Sequence, residues 1–525
     1  MASNPKNSAP ENVIFGDPSE DSKYLILRPE KAGLKDLFKF SVCNDKDSGL
    51  RFLDGSDKGV ISEETAQQKW LFMVSLVIRK ILHLVKQPML YLGYLIEFIL
   101  NLLAQNGGVF GLICNCVLGK LVMPERGSES FYTFIGHLDG RLDLYKGKNL
   151  VEEIGDSETS IRAELGNRAL MDLCIMASKL AYENAKVVQN VVLHHWKMHF
   201  VDFYDCWNDF EKENSTQVFI ISDKPKDASL ILISFRGTEV FDMDDWSTDI
   251  DYSWYEIPEL GKVHMGFLEA IGLGNRDNIK TFKNHLQNNK TMPNHSKDPK
   301  SCELCSYFNG TSSTAPDMVK KSAYYAVRRK LKSLLRENPD AKFVVTGHSL
   351  GGALAILFPT VLVLHEEIEL MNRLLGIYTF GQPRIGNLQL AKFMEDQLGN
   401  SIPKYFRIVY CNDIVPRLPY DDKTFLYKHF GVCIYYNSFY IEQKRSEEPD
   451  PNYFGLRYVI PLHLNAVWEL TRSLIAGYLY GPDYREGWLA TGFRIIGLAV
   501  PGLSDHCTLN YLNSIRLGKD HFHHM

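Results

Sequence analysis

The chain lacks the features that mark several protein classes. Its charge is nearly balanced, 58 Lys and Arg against 63 Asp and Glu, for a formal net charge of -5 over 525 residues. No long basic run occurs, so a nucleic-acid partner is not expected. Ten cysteines are scattered along this length, too dilute for a disulfide scaffold. The opening residues, MASNPKNSAPENV, hold no apolar stretch, so a secretory leader is not expected. The sequons at Asn214, Asn289, Asn294 and Asn309 are accordingly read as unused, and the thiols as reduced and cytosolic. No internal repeat is found. A single Cys-x-x-Cys pair, Cys302 and Cys305, lies near His285 and His295 at irregular spacing. It reads as two surface thiols, and no metal is expected.

What is present is ordinary in bulk and uneven along the chain. Hydrophobic residues make up 45% and charged residues 23%, the usual globular balance. The length suits one large α/β domain with appendages, or two ordinary domains. Residues 1–61 are polar, and about the first 22 are expected to be loose. Residues 62–122 change sharply, to WLFMVSLVIRKILHLV, KQP, MLYLGYLIEFILNLLA, QNGG and VFGLICNCVLGKLV. Glu64, Gln68, Ser75, Arg79, His83 and Lys86 fall on one side of a helix, giving a basic stripe against a broad apolar face that suits a membrane interface. The piece from Met89 to Ala104 has sixteen residues. It reaches only about 24 Å as a helix, short of the roughly 20 residues a span needs. It also carries Glu97 and Asn101, which are costly at a bilayer centre. With Pro88 and Gly107-Gly108 as dividers, 62–122 is expected to form an apolar helical hairpin inserted in, or lying on, a membrane or lipid surface. A buried helical layer and a two-sided span are the alternatives. Residues 123–525 have the composition of a soluble domain with alternating strand and helix patterns. Two insertions stand out, a polar one at about 284–316 and an apolar, aromatic one at about 458–501. The second suits an acyl-chain site, a lipid contact or core packing.

The strongest chemical signal is AKFVVTGHSLGGALAILF. A short buried strand over 343–346 runs into Gly347-His348-Ser349-Leu350-Gly351, and a helix of small and apolar residues follows. The G-x-S-x-G pattern alone arises by chance about 0.2 times in a chain this long. The strand before it and the helix after it make it specific to a nucleophile elbow. There the serine sits on a strained strand-to-helix turn, and glycines on either side allow close backbone approach. The helix N-terminus offers N–H groups to a developing oxyanion, and the N–H of Leu350 is the expected donor. A second strand, LILISFRGT, ends at Thr238, whose backbone N–H and hydroxyl are placed to supply the other donor. The serine needs a base, and the base an orienting carboxylate. Asp413 follows the apolar run 405–410, at a strand end where acids reach an active face. Asp421 and Asp422 lie in a more polar loop. Among later histidines, His506 follows a Gly-containing loop, ahead of His463 and His429 as candidate base. His521, His523 and His524 form a tail that reads as solvated.

Taken in order, FRGT, GKVHMGF, GHSLGGALA, TFGQPRIGN, NDIVPRLP and a late loop histidine resemble the class 3 lipase family, from about 230 to 517. The resemblance implies an α/β-hydrolase fold with a mostly parallel sheet. It implies Ser349, Asp413 and His506 as triad, Thr238 and Leu350 as oxyanion hole, and no cofactor. SEETAQQKWLFMVSLVIRK, with the apolar region after it, resembles the plant oil body lipases. That narrower resemblance implies triacylglycerol as substrate and a lipid-droplet surface, with the endoplasmic reticulum membrane as a second site and the enzyme facing the cytosol. Phospholipase A1 or diacylglycerol lipase activity with the same triad is the alternative, and an inactive droplet-surface structural or tethering protein is a second. Residues 243–253 fall where fungal relatives carry a lid, but here they read MDDWSTDIDYS, which is acidic.

Overall fold

Alternation with period two builds the central sheet. In the segments Leu230–Phe235 and Lys342–His348, Ile231, Ile233, Phe343 and Val345 join the core on one face, while Leu230, Leu232 and Val344 join the core on the other. A strand buried on both sides needs such a continuous apolar run. The computed structural model describes residues 22–33, 35–36, 39–40, 51–56, 58–145, 168–287, 322–398, 403–420, 426–449 and 455–520. Asp421, Asp422, Cys302, Cys305, Asn289, Asn294, Asn309, the tail histidines and most of the 284–316 insertion lie outside these residues.

The described strands are β1 (Tyr24–Leu27), β2 (Leu53–Gly55), β3 (His199–Asn208), β4 (Glu213–Ser222), β5 (Leu230–Phe235), β6 (Trp254–Ile257), β7 (Gly261–His264), β8 (Lys342–His348), β9 (Leu374–Phe380), β10 (Tyr405–Tyr410), β11 (Val432–Tyr436), β12 (Ile441–Arg445) and β13 (Lys519–Asp520). Nine form one sheet in the order β13-β12-β11-β10-β9-β8-β5-β4-β3. Its centre, β5-β8-β9-β10-β11, is parallel throughout, with helices covering both faces. This is the mostly parallel α/β-hydrolase architecture expected from the motifs. The helices that bear on the site are α1 (Lys58–Gln105), α2 (Gly108–Val117), α3 (Phe134–Leu138), α4 (Arg168–Leu180), α5 (Met243–Asp249), α6 (Leu350–Leu364), α7 (Val459–Tyr480), α8 (Trp488–Ala499) and α9 (Thr508–Leu517).

The N-terminal third differs from expectation in three ways. First, the described part of residues 1–61 is not all loose chain, because β2 pairs with β1 and β1 with β6 in a second sheet ordered β2-β1-β6-β7. Second, Pro88 does not divide the apolar region. α1 runs 48 residues through it, and only the shorter α2 follows the positive-φ pair Gly107-Gly108. Proline removes one N–H and crowds the carbonyl four residues back. Here it lies on the exposed side, and the helix is fastened to the body on both sides of it. Third, Ser75, Arg79 and Lys86 of the polar stripe face the protein body rather than water, while His83 is exposed and the side chains of Glu64 and Gln68 lie outside the described residues. Ser75 donates to Ile250 O (2.8 Å), and Arg79 reaches Asp251 (2.6 Å), Ser247 and the carbonyl of Leu27. Lys86 pairs with Asp244. Two acids of 242–251, Asp244 and Asp251, thus face the cations of α1. Beyond Pro88, Glu97 pairs with Arg126 and accepts from Phe134 N, while Asn101 bonds both backbone groups of Tyr132. These two polar residues are staples to the body. Leu71, Phe72 and Leu76 bury fully beside β1, β2 and Tyr252, each contributing about 1.5–3 kcal/mol.

Candidate active site

Ser349 stands between β8 and α6 with φ 58° and ψ -133°, a strained conformation for a residue with a side chain. Position 237 explains one of the surrounding glycines. A Cβ there would lie 2.1 Å from Tyr182 Oη and 2.4 Å from the carbonyl of His348, so only glycine lets the Thr238 loop lie against the elbow.

The structure brings Ser349, His506 and Asp413 together from distant parts of the chain. Ser349 Oγ lies 2.8 Å from His506 Nε2, and His506 Nδ1 lies 2.8 Å from Asp413 Oδ2. With the imidazole neutral, the serine hydroxyl donates to Nε2 and the Nδ1 proton is donated to the carboxylate, the tautomer a general base requires. Asp413 is fully buried just after β10. Its Oδ1 accepts from Val415 N (2.9 Å), and its Oδ2 also accepts from the Tyr511 hydroxyl. Asn412 N donates to Asp505 Oδ2 (2.9 Å), tying the loop of the acid to the loop of the base. Gly381, at φ 59°, passes beneath the pair, where a Cβ would lie 2.8 Å from Asp413 Oδ2 and 2.9 Å from His506 Cε1.

His348 is a support rather than a reactant. Its Nε2 lies 2.8 Å from the carbonyl of His506 and its Nδ1 2.8 Å from Tyr182 Oη. A carbonyl only accepts, so Nε2 carries the proton and Nδ1 accepts from the tyrosine. Burial and the facing His506 ring hold this imidazole well below its ordinary pKa. His429 is buried and donates to Pro416 O, and His463 is exposed on α7 with a bond to its own helix. Neither meets Ser349.

Leu350 is the first residue of α6, so its N–H has no partner within the helix and points at the nucleophile's end. Thr238 lines the same cavity as Ser349. Its hydroxyl is engaged, donating to Asp249 Oδ2 at 3.0 Å, which leaves the backbone N–H as what this loop offers an oxyanion. Asp249 is fully buried at the end of α5, and its Oδ1 has no hydrogen-bond partner among the described residues. Burial pushes its carboxyl up to about 7, with Thr238 and His506 opposing the rise. Sequence reasoning missed Asp249, Tyr511 and Tyr182. None belongs to a local motif, although Asp249 does sit in the acidic stretch placed at the lid position.

Above these groups lies a cavity of about 870 Å³, within the range of ligand pockets. Its lining is almost entirely apolar, with Phe134 and Ile135 from α3, Phe241, Met243 and Trp246 from the acidic segment, and Trp488, Phe493 and Ile496 from α8. Residues 458–501 hold α7 and α8, and α8 lines the same cavity as Ser349 and His506. The arrangement suits nucleophilic attack on an ester with long apolar arms.

The family model for class 3 lipases matches residues 232–423. Triacylglycerol lipase OBL1 of Nicotiana tabacum is 55% identical over 95% of this chain and 95% of its own length. Triacylglycerol lipase OBL1 of Arabidopsis thaliana is 56% identical over 96% of each chain. A Rhizomucor miehei triacylglyceride lipase structure aligns at 22% identity over 52% of this chain and 82% of that one, with a TM-score of 0.34. Near-complete coverage at such identity, with the family model laid across the elbow and the Asp413 loop, places this chain in the class 3 lipase family.

Proposed function

We propose that this lipase hydrolyses the acyl esters of triacylglycerol at the surface of lipid droplets and releases free fatty acids. The observation that carries the reading is the hydrogen-bonded series Ser349–His506–Asp413 at the floor of an apolar cavity. Ser349 Oγ attacks the ester carbonyl carbon as its proton passes to His506 Nε2. Asp413 holds the ring and stabilises the imidazolium. The N–H groups of Thr238 and Leu350 receive the oxyanion of the tetrahedral intermediate. Collapse expels the diacylglycerol alcohol, which takes the proton from Nε2. Water, deprotonated by His506, then attacks the acyl-enzyme and frees the fatty acid. Every step uses only these side chains and water.

The outer surface supports a lipid-surface location, at droplets or the endoplasmic reticulum membrane, and the proposed orientation faces the cytosol. Exposed apolar side chains crowd α1, α2, α7 and α8, among them Leu84, Phe110, Val117, Tyr478 and Trp488, and apolar surface gathered in this way marks a membrane or partner contact. α1 is long and apolar enough to cross a membrane, yet its staples to the body favour a helix lying along the surface. The described cysteines are all unpaired, in keeping with a reducing compartment.

The test is fatty-acid release by wild type and Ser349→Ala on a triacylglycerol emulsion and on phospholipid vesicles. The emulsion should be the preferred substrate, and Ser349→Ala should lose roughly 10⁶-fold in kcat. Preference for vesicles, or for diacylglycerol, would move the substrate class while keeping the triad. Equal rates in wild type and variant, with no fluorophosphonate labelling, would favour a structural droplet protein.

A further inference from the structure

We infer that α1, beyond holding the enzyme on a lipid surface, forms the acyl-chain wall of the active site and sets which acyl lengths are cleaved. The inference rests on the ester-hydrolase reading above and adds to it a specificity element outside the hydrolase motifs.

A helix that serves only as an anchor turns its apolar face to lipid and its polar face to water. α1 does neither alone. Its apolar residues form two stripes, each recurring every seven positions, which is two helical turns. Trp70, Val77, Leu84 and Tyr91 are exposed and form the outer stripe. Leu82, Met89 and Ile96 line the cavity that contains Ser349, joined by Leu92, Ile99 and Leu100. From Leu82 to Leu100 this inner stripe runs about 27 Å, long enough to accompany an extended fatty acyl chain. Leu100 is buried with Phe134, Ile135, Tyr182 and Leu509, and Ile96 and Phe241 pack on that cluster. Close approach is built in at Gly93, where a Cβ would lie 2.7 Å from Phe241. Any larger residue would lift the helix from the loop that leads from Thr238 into α5. The polar residues Arg79 and Lys86 fix the same helix to α5 and its flanks, so the wall cannot slide relative to the Thr238 loop without breaking the buried Arg79–Asp251 pair and the partly exposed Lys86–Asp244 pair.

The test uses the full chain and two esters, p-nitrophenyl butyrate and p-nitrophenyl laurate, both presented in the same detergent micelles so that chain length is compared on a common surface. Ile96→Trp should lower the laurate-to-butyrate ratio of kcat/KM at least tenfold by filling the wall side of the cavity. Ile96→Ala should lower it about threefold by removing side-chain contact with the longer chain. Gln87→Trp, on the exposed side of the same helix and outside the cavity, should keep the wild-type ratio. If Ile96→Trp does not fold, Ile96→Ala decides. Wild-type ratios in both Ile96 variants, with fluorophosphonate labelling of Ser349 intact, would overturn the inference alone. A wild type that cleaves neither ester would overturn the hydrolase reading and this inference with it.

Discussion

Asp413 accepts hydrogen bonds from an imidazole, a phenol and a backbone amide while shut off from solvent. Such a carboxylate fixes the ring it faces. Asp413→Asn should lower kcat by about 10⁴-fold, because an amide favours the wrong imidazole tautomer. Tyr511→Phe removes one charge-assisted bond worth about 1.5–3 kcal/mol. It should therefore cost roughly ten- to a hundredfold in kcat, with little change in KM on a soluble ester. No change in kcat would mean that the phenol only packs. Asp249 carries a pH prediction. Its carboxyl, raised to about 7 from an ordinary value near 3.9, binds its proton more tightly in the folded state. Its contribution to stability is complete below about pH 4 and lost as pH rises through about 7. Ionisation would also set a negative charge behind the Thr238 loop, against the developing oxyanion. In Asp249→Asn the denaturation midpoint should fall less between pH 5 and 8 than in wild type, and the alkaline decline of kcat should soften. Parallel pH profiles in the two proteins would reject this role.

At the scale of elements, α1 is the part whose behaviour pattern reading could not settle. Its Ser75, Arg79 and Lys86 contact residues 244–251, and Arg79 enters a buried ion network. Arg79 and Arg276 share Asp251, and Arg276 also pairs with Glu269. Removing one partner from such a group leaves an uncompensated buried charge, worth about 3–5 kcal/mol. Arg79→Leu should lower the stability measured by urea unfolding by that order, and Arg79→Lys by less. Deleting 58–122 should not release a soluble, active enzyme, as removal of a simple anchor would. It would bare Phe134, Ile135 and Phe241 and unpair the acidic segment, so activity on short soluble esters should vanish as well. A truncated protein that stays monomeric and cleaves p-nitrophenyl butyrate normally would show that α1 is dispensable to the site.

The whole molecule brings two requirements of lipid hydrolysis into one place. The cavity above Ser349 is walled by α1 and α8, and the outer surfaces of these helices, with α2 and α7, carry the exposed apolar side chains. A near-balanced net charge of -5 gives no long-range attraction to an anionic surface, so binding must come from apolar burial. Placing Glu at Leu84 and Tyr91 together should reduce the droplet-bound fraction in a flotation assay at least tenfold. Each charge meets a cost of about 2.5–3.5 kcal/mol if driven to hydrocarbon depth. Flotation indistinguishable from wild type would place the lipid contact elsewhere, on α2 or α7.

The sequence by itself determined those features whose physics is local. Ser349 was legible because the elbow needs a buried strand, a strained turn and a helix start within a dozen residues. Thr238 and Asp413 were legible as residues just past apolar strands, and His506 led His429 and His463 on its Gly-containing loop, a lead that the ordered family motifs widened. The mostly parallel sheet followed from runs such as 230–235 and 343–346. Tertiary structure alone decided the rest, because it depends on partners far along the chain. Ser75, Arg79 and Lys86 share a helix face whether that face meets water or protein. Only the acidic stretch some 160 residues later turns it inward. Pro88 breaks a helix that stands alone, but not one stapled to a body on either side. The inner and outer stripes of α1 are both apolar at the same seven-residue spacing, and what separates acyl wall from lipid contact is which of them faces Ser349.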